Sequence, residues 1–174
     1  NDLFPDDTYI RFCVAEIIQD GIMQDGVIYT SSSTNDWLTD DAIKAVSPVV
    51  DPQHYLNVWI TDLAEGISGY AQLPKGNIAT DGIVIDYRFF GTTGTATFPY
   101  NEGKTLTHLI GNYLGLFDLW GDGGCKDDFI FDTPVHNAPN YGCPDYRHMS
   151  LCNGGEQSEM YMNFMDNTDD ACQF

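Results

Sequence analysis

The chain has few basic residues and no long apolar run, and both shortages exclude functions. Only 7 Lys and Arg stand against 26 Asp and Glu, which gives a formal net charge of -19. Such a charge repels phosphate backbones and anionic lipid surfaces, so nucleic acids and membrane surfaces are poor partners. No uninterrupted apolar run approaches the ~20 residues that a membrane-spanning helix needs. The sequence therefore predicts no membrane insertion.

The sequence also lacks any C-x-x-C pair, although it contains five cysteines. Four of them lie in the last third, at spacings that are long for a structural zinc site and favour disulfides: Cys125, Cys143, Cys152 and Cys172. Disulfides imply an oxidising compartment, so the protein is predicted to be secreted or extracellular. Cys13 stands alone among apolar neighbours and is predicted to be buried and free. Because the chain starts at Asn1 without a signal peptide, we expect a processed piece of a longer secreted protein.

The pattern of apolar residues and of Gly and Pro predicts a chain of mixed structure that fits one domain over 1–174. Helices are predicted over 36–46 and, as the central helix, over 102–119. After Trp120 little periodicity remains, and this half is predicted to be loops that need covalent crosslinks. Strands are predicted over 8–17, 55–63, 69–74 and 81–91.

One long segment resembles a known zinc-binding helix. GKTLTHLIGNYLGLFDLWGD (103–122) is similar to the helix of pappalysin-like metzincin metalloproteases, whose pattern is HExxHxxGxxH followed by a Trp-Gly-Asp turn. Other segments resemble the family in its order, over nearly the whole chain: DPQHYLNVWITDL, GYAQLP, DGIVIDY, DDFIFDTP, NYGCP and MNFMDNTDDAC. The resemblance implies an α+β fold of the zincin type, with a twisted, mostly parallel sheet packed on an active-site helix. It also implies a loop-rich, disulfide-bonded C-terminal half that contains a Met-turn.

The zinc pattern is only partly retained. Two His four residues apart share a helix face and bind zinc, a third ligand follows the turn Gly, and the intervening Glu deprotonates zinc-bound water. Here His108 and Gly115 remain. Leu109 replaces the Glu, Asn112 replaces the second His, and Asp118 replaces the third.

These replacements remove the chemistry of the pattern. A neutral amide such as that of Asn112 is a weak zinc ligand, and Leu109 cannot accept a proton from water. Met165 fits the Met-turn of the resemblance, but Asn167 stands where the family often has a Tyr that stabilises the transition state. We therefore expect no zinc and a catalytically inactive pseudoprotease.

The predicted function is thus a non-catalytic extracellular module. Its former substrate cleft binds a protein or peptide partner, or the domain is a scaffold beside neighbouring domains or subunits of a surface assembly. The alternative is an active metal-dependent endopeptidase that uses a non-zinc or rearranged metal at His108 and Asp118. Laboratory inactivation of a protease is a third possibility, which four changed positions disfavour. Taken alone, 103–122 also fits a core helix ended by Gly115.

The C-terminal half is acidic, and the resemblance implies both a calcium site and two disulfides in it. From Asp118 onward 11 acidic residues stand against Lys126 and Arg147, a concentration that suits oxygen-rich cation sites. Family members use the region of GDGGCKDDFIFDTP for calcium, and we favour Asp128 and Thr133 as ligands. The less certain ligands are Asp127, Asp132 and Asp122. A solvated acidic loop is the alternative to a calcium site.

The resemblance also implies the family's disulfide pairing, which here gives Cys125–Cys152 and Cys143–Cys172.

The remaining histidines carry no metal-binding pattern. His54, His136 and His148 lack partners four residues away and lie near loop signals. They are predicted to be surface or structural residues rather than ligands.

Overall fold

The computed structural model describes residues 10–19, 21–155 and 157–174. The chain forms two compact units, Asn1–Ser31 and Ser32–Phe174. The second unit contains all the residues of the zinc-helix pattern. One domain over 1–174 stays a prediction.

The first unit contains a β-hairpin. Strands β1 (Glu16–Gln19) and β2 (Ile22–Asp25) pair antiparallel, and Gly21 between them has a φ of 79°. Of the strand predicted over 8–17, residues 8 and 9 lie outside the described residues and 10–15 form no strand. That prediction is largely wrong, because the turn at Gly21 sets the pairing of only four residues on each side.

Cys13 belongs to the same unit and forms no disulfide among the described residues. The prediction that it is buried is wrong, because its side chain is exposed. Its apolar neighbours Phe12 and Val14 are themselves 57% and 71% exposed. An apolar local sequence therefore does not enclose this thiol in a core.

The second unit contains a three-stranded mixed sheet. Its strands are β3 (Val58–Thr61), β4 (Gly69–Ala71) and β5 (Ile83–Asp86), in the order β3-β5-β4. Strand β5 pairs parallel with β3 and antiparallel with β4. The prediction of a mostly parallel sheet is wrong, because a short connection from β4 to β5 reverses the chain direction. The three predicted strands exist, but each is shorter than its predicted segment.

Strand β5 is buried on both faces, and each face contacts a different cluster. Alternate side chains of a strand point to opposite faces. Ile83 and Ile85 therefore pack together with Leu109 of the central helix, whereas Val84 packs with a second cluster. That cluster also contains Trp37, Ile43, Trp59 and Leu63.

Helix α1 (Ala42–Val46) is shorter than the helix predicted over 36–46. Asp36 and Asp41 have φ values of 54° and 62°, outside the right-handed helical region. Trp37 between them forms an isolated β-bridge. The helix consequently begins only after Asp41.

A lysine of this helix is buried, which the sequence did not indicate. The Nζ atom of Lys44 lies 2.7 Å from Oδ1 of Asp41 and donates to the carbonyl of Thr80 at 2.7 Å. It also lies 5.3 Å from the ring centre of Trp59 and 5.2 Å from that of Tyr70. The carboxylate and the two ring faces together compensate the burial of this cation.

The central helix α2 spans Lys104–Leu114, within the predicted 102–119. It begins after Gly103, at a φ of 79°, and ends at Gly115, at a φ of 102°. Both values lie in the left-handed region, where glycine alone is unstrained. Gly115 therefore turns the chain out of the helix.

The N-terminus of α2 is tied to the end of the chain. Nζ of Lys104 donates to the carbonyls of Asp170 and Gln173, at 2.6 and 2.5 Å. The backbone N–H of Glu102 donates to Oδ2 of Asp170 at 2.6 Å. These contacts fix the helix against the last turn of the chain.

The part of the chain after α2 is loops, as predicted. Among its described residues only the short 3-10 turns Cys152–Gly154 and Asp170–Cys172 are regular. Both disulfides implied by the resemblance are present, Cys125–Cys152 and Cys143–Cys172. Met165 packs beneath α2, where a Cβ added at Gly111 would meet its Sδ atom. The Met-turn itself stays a prediction.

Candidate functional site

A cleft of about 980 Å³ lies along α2 in the second unit. One side is formed by the segment of the edge strand β4, and the other by loops from the C-terminal half. Of the residues of the zinc-helix pattern and its surroundings, the cleft is lined by His108, Leu109, Asn112, Asp118 and Asn167. The structure therefore brings most of the predicted site residues to one cavity.

His108 is held at both ring nitrogens. Its Nδ1 atom lies 2.9 Å from the carbonyl oxygen of Phe164, and its Nε2 atom lies 3.0 Å from Oδ1 of Asp118. Both partners are acceptors, so the ring satisfies both contacts when both nitrogens carry a proton. A proton then occupies the space between Nε2 and the carboxylate.

Asn112 faces the same carboxylate with its nitrogen. Its Nδ2 donates to Oδ1 of Asp118 at 3.1 Å and to the carbonyl of Leu116 at 3.2 Å. The amide therefore presents donors, not a lone pair, to the centre of the site. This contact closes a small network of His108, Asn112 and Asp118.

The network keeps Asp118 ionised. Burial raises the pKa of this carboxyl, but hydrogen bonds from His108 and Asn112 and the nearby imidazole charge outweigh burial and lower the pKa below its ordinary value. At neutral pH the site contains a carboxylate that is already paired.

The residues present do not fit the zinc site of the family pattern. That site needs three good ligands and an open position for water. Here one imidazole and one carboxylate face each other, and the third position offers an amide N–H. Among the described residues no group of three His, Cys, Asp or Glu side chains is arranged to hold a metal ion.

The position of the general base is equally altered. Leu109 is buried and packs with Ile83 and Ile85 beneath the sheet. Its Cδ1 atom also lies where a Cβ on Gly69 of the edge strand would be, 2.5 Å away. Asn167 lines the cleft, and its backbone N–H donates to Oδ1 of Asp166 at 2.8 Å.

The predicted calcium ligands are only partly brought together. The buried carboxylate of Asp128 accepts from Oγ1 of Thr133 at 2.7 and 2.8 Å and from the N–H of Ile130 at 3.0 Å. Asp127 accepts from the N–H of Phe129 at 2.7 Å instead. The two remaining candidates have exposed side chains: Asp122 and Asp132.

A buried polar network beside the cleft was not predicted from the sequence. The amide of Asn140 donates to Glu159 and Asp166 at 2.8 Å each, and Nδ1 of His136 lies 3.2 Å from Asp166. Nε2 of His136 accepts from the N–H of Met160 at 2.8 Å. No local sequence signal links these residues, because each contacting pair is at least 19 positions apart in the sequence.

The other histidines lie away from the pattern. His136 is fully buried. The side chains of His54 and His148 are 71% and 42% exposed.

Comparison with known proteins identifies the family. The profile of the family described as pregnancy-associated plasma protein-A, a peptidase family, matches residues 37–174. The chain belongs to this family. The resemblance to the pappalysin-like metzincins is thereby confirmed, whereas the loss of the zinc site in this chain is not tested by the match.

Relatives and solved structures agree with this family. An extracellular metalloprotease of Arthroderma benhamiae is 34% identical over 123 residues, which are 67% of this chain and 44% of that protein. Extracellular metalloprotease 1 of Coccidioides posadasii is 34% identical over 126 residues, 67% of this chain and 43% of that protein. Mature mirolysin of Tannerella forsythia, solved with a cleaved peptide, superimposes with a TM-score of 0.81 at 37% identity. That superposition covers 88% of this chain and 61% of mirolysin.

The comparisons bear on function and location. The relatives are named metalloproteases, which favours the endopeptidase alternative over the inactive module, and inactivity of this pappalysin is not shown. The chain spans less than half the length of the curated relatives it matches. Extracellular relatives and two disulfides agree with a secreted protein. Among the described residues no helix is long and apolar enough to cross a membrane.

Proposed function

We propose that this domain is a non-catalytic, peptide-binding pappalysin. The proposal is carried by the side chain at the general-base position, Leu109, which is buried against Ile83 and Ile85 and cannot deprotonate water. The pairing of His108 with Asp118 supports it, because each group satisfies the other. The cleft along α2 remains open to an extended chain.

The charges of the cleft favour a positively charged peptide. Its Lys and Arg side chains are each paired with a carboxylate: Arg88 lies 2.7 Å from the buried Asp86, and Lys104 lies 3.2 Å from Glu102. The exposed carboxylates of Glu65 and Asp122 line the same cleft. The accessible charge is therefore negative, and it attracts cationic segments. A neighbouring domain that contacts this cleft is likewise expected to present a positively charged segment.

The second candidate is an active metal-dependent endopeptidase with an atypical site. The names of the relatives favour it. This candidate would use Nε2 of His108 and Oδ1 of Asp118, which are 3.0 Å apart, as metal ligands in place of the hydrogen bond that joins them. This candidate needs a base other than Leu109.

Calcium binding at Asp128 and Thr133 remains part of the proposal. The two side chains already meet at 2.7 Å in a loop that follows a disulfide-bonded cysteine, Cys125. Calcium prefers carboxylate, hydroxyl and carbonyl oxygens such as these.

Metal content and hydrolysis separate the two candidates. The purified chain is dialysed against metal-free buffer, loaded separately with Zn²⁺, Co²⁺ and Mn²⁺, and analysed for metal and for cleavage of casein and Arg-containing peptides. The first candidate predicts well under one metal per chain and no cleavage above background. Near one metal per chain with cleavage, lost in His108→Ala but kept in the exposed control His54→Ala, would establish the second candidate and reject the first.

Peptide binding is tested directly by fluorescence anisotropy. A labelled nonapeptide containing three Lys is expected to bind, and the same peptide with Glu in their place is not. Binding is expected to weaken with salt and in Glu65→Lys and Asp122→Lys, but not in Asp145→Lys, whose carboxylate is exposed outside the cleft lining. Equal binding of both peptides would reject the preference for positive charge, and no binding of either peptide would reject the proposed peptide binding.

A further inference from the structure

Two phenylalanine rings extend the wall of the cleft beyond the end of α2. Phe117 lines the cleft and is 43% exposed. The ring of Phe129 meets it edge to face, with ring centres 5.7 Å apart and planes at 67°. Phe129 is itself 78% exposed. These two residues, the aromatic lip, form an apolar surface that continues from the cleft into solvent.

The lip is held in place by the acidic loop. Phe129 has a φ of 65°, a left-handed conformation that costs a bulky residue ~1–3 kcal/mol and persists only where the surroundings hold it. Its N–H donates to Oδ1 of Asp127 at 2.7 Å, and the next N–H, of Ile130, donates to Oδ1 of Asp128 at 3.0 Å. Asp128 is fixed in turn by Thr133. Because the backbone is already fixed, covering this ring costs the rotamer freedom of its side chain but no ordering of the loop.

The side of the cleft next to the lip contains both apolar and acidic side chains. Leu116, 41% exposed, lines the cleft directly before Phe117, and Asp122 lines it five residues later. A ligand that reaches the lip from the cleft therefore passes apolar and acidic groups together. Aromatic rings in edge-to-face arrangements gain about 0.5–1.5 kcal/mol beyond the area that they bury.

We propose that the aromatic lip is a subsite for an aromatic or large apolar side chain of the peptide in the cleft. The inference rests on the proposed peptide-binding function and narrows its ligand class. The occupant is a cationic segment, because the lip continues from a cleft whose accessible charges, Glu65 and Asp122, are negative. The preferred sequences thus contain a basic residue and an aromatic residue close together.

A defined peptide pool tests the subsite on the 174-residue chain. Acetylated nonapeptides with Lys fixed at the centre and all other positions randomised are passed over the immobilised protein, and the retained peptides are sequenced. We expect enrichment of Phe, Tyr, Trp or Leu at one position relative to the Lys. Phe117→Ala and Phe129→Ala are expected to remove that enrichment. The matched control is Phe131→Ala, in the same loop and fully exposed at 105%.

An enriched peptide and its copy with Ala at the enriched position are then compared by anisotropy. The aromatic peptide is expected to bind wild type about tenfold more tightly than its Ala copy, which corresponds to ~1.4 kcal/mol. In Phe129→Ala the two peptides are expected to bind alike. Unchanged melting temperatures would show that both surface variants fold.

The outcomes separate this inference from the function beneath it. Retention of peptides without aromatic enrichment, or enrichment that survives both lip variants, overturns the subsite and leaves the peptide-binding function standing. No retention of any peptide overturns both. A concentration-dependent dimer in sedimentation that Phe129→Ala abolishes would identify the lip as a contact between copies of the chain, and would also overturn the subsite.

Discussion

The Nε2 atom of His108 lies 3.0 Å from Oδ1 of Asp118, ten residues further along the chain. The two groups come from opposite sides of the turn at Gly115, which brings the segment after α2 back toward the middle of the helix. The turn that positions the last ligand in the zinc pattern here positions a carboxylate against an imidazole. The backbone of the pattern therefore remains in place although its side chains have changed.

Restoring the pattern is expected to restore function only in combination. Asn112→His with Asp118→His should bind zinc, because His108 and the turn at Gly115 already supply part of the geometry. Leu109→Glu alone should give no peptidase activity and should lower stability, since it places a carboxylate in a buried apolar site. The triple variant should cleave peptides weakly.

Zinc stoichiometry and cleavage of Arg-containing peptides measure these effects. The changes should be strongly non-additive, because groups that act as one unit give little until all are present. If the triple variant bound no zinc, the cleft would differ from that of the active relatives in more than these side chains.

The ion pair between Asp86, the last residue of β5, and Arg88 is expected to make stability depend on pH. Burial raises the pKa of Asp86, but hydrogen bonds from Arg88 and from the N–H of Leu63 outweigh burial and lower the pKa below its ordinary 3.8. A lowered pKa stabilises the fold above pH 3.8, and that stabilisation is lost as the pH falls through the folded-state value. Asp86→Asn should therefore destabilise the protein at pH 7 by about 3 kcal/mol.

Urea unfolding at pH 7 and pH 2.5 checks this prediction. The difference between wild type and Asp86→Asn should narrow at the lower pH. Asp62→Asn is the control, because that carboxylate is 3.8 Å from Arg88 and more than a third exposed, so its effect should stay below ~1 kcal/mol. A constant difference across the pH range would contradict the assignment.

Calcium is expected to raise the melting temperature even without zinc. A ligand that binds only the native state adds ~2.7 kcal/mol at a concentration of 100 Kd. Excess chelator should lower the melting temperature of wild type, and Asp128→Ala should abolish the response. Asp145→Ala, a change at an exposed acidic residue, should keep it. A melting curve unaffected by chelator would show that the acidic loop is only solvated.

The contact between α2 and Met165 predicts that Gly111→Ala destabilises the wild-type protein but stabilises a variant that lacks the Met165 side chain. Gly111→Ala adds a Cβ that meets Sδ of Met165 and lies 3.2 Å from its Cε atom. Overpacking of this kind costs about 1–3 kcal/mol, more than the ~1 kcal/mol that Ala gains over Gly in a helix. In a Met165→Ala background the clash is gone, so Gly111→Ala should stabilise. Thermal unfolding of the four proteins in this cycle gives the answer.

The sequence predicted features that depend on local spacing and missed those made by distant segments. The helix and its pattern residues were found because apolar residues recur at helical spacing between Gly103 and Gly115. The burial of Lys44 was not predicted, because its acceptor, the carbonyl of Thr80, lies 36 residues away. The burial of Asp86 was also not predicted, because the N–H of Leu63 that donates to its carboxylate lies 23 residues away.

The two disulfides overlap along the chain, because Cys143 lies inside the loop closed by Cys125 and Cys152, while Cys172 lies outside it. Any single backbone cut from residue 126 to residue 171 therefore leaves at least one bond joining the two fragments. A chain nicked in the acidic loop should migrate as one band on a non-reducing gel and as two after reduction. In a medium rich in proteases, a C-terminal half that had been cut once would thus stay attached to the rest of the domain.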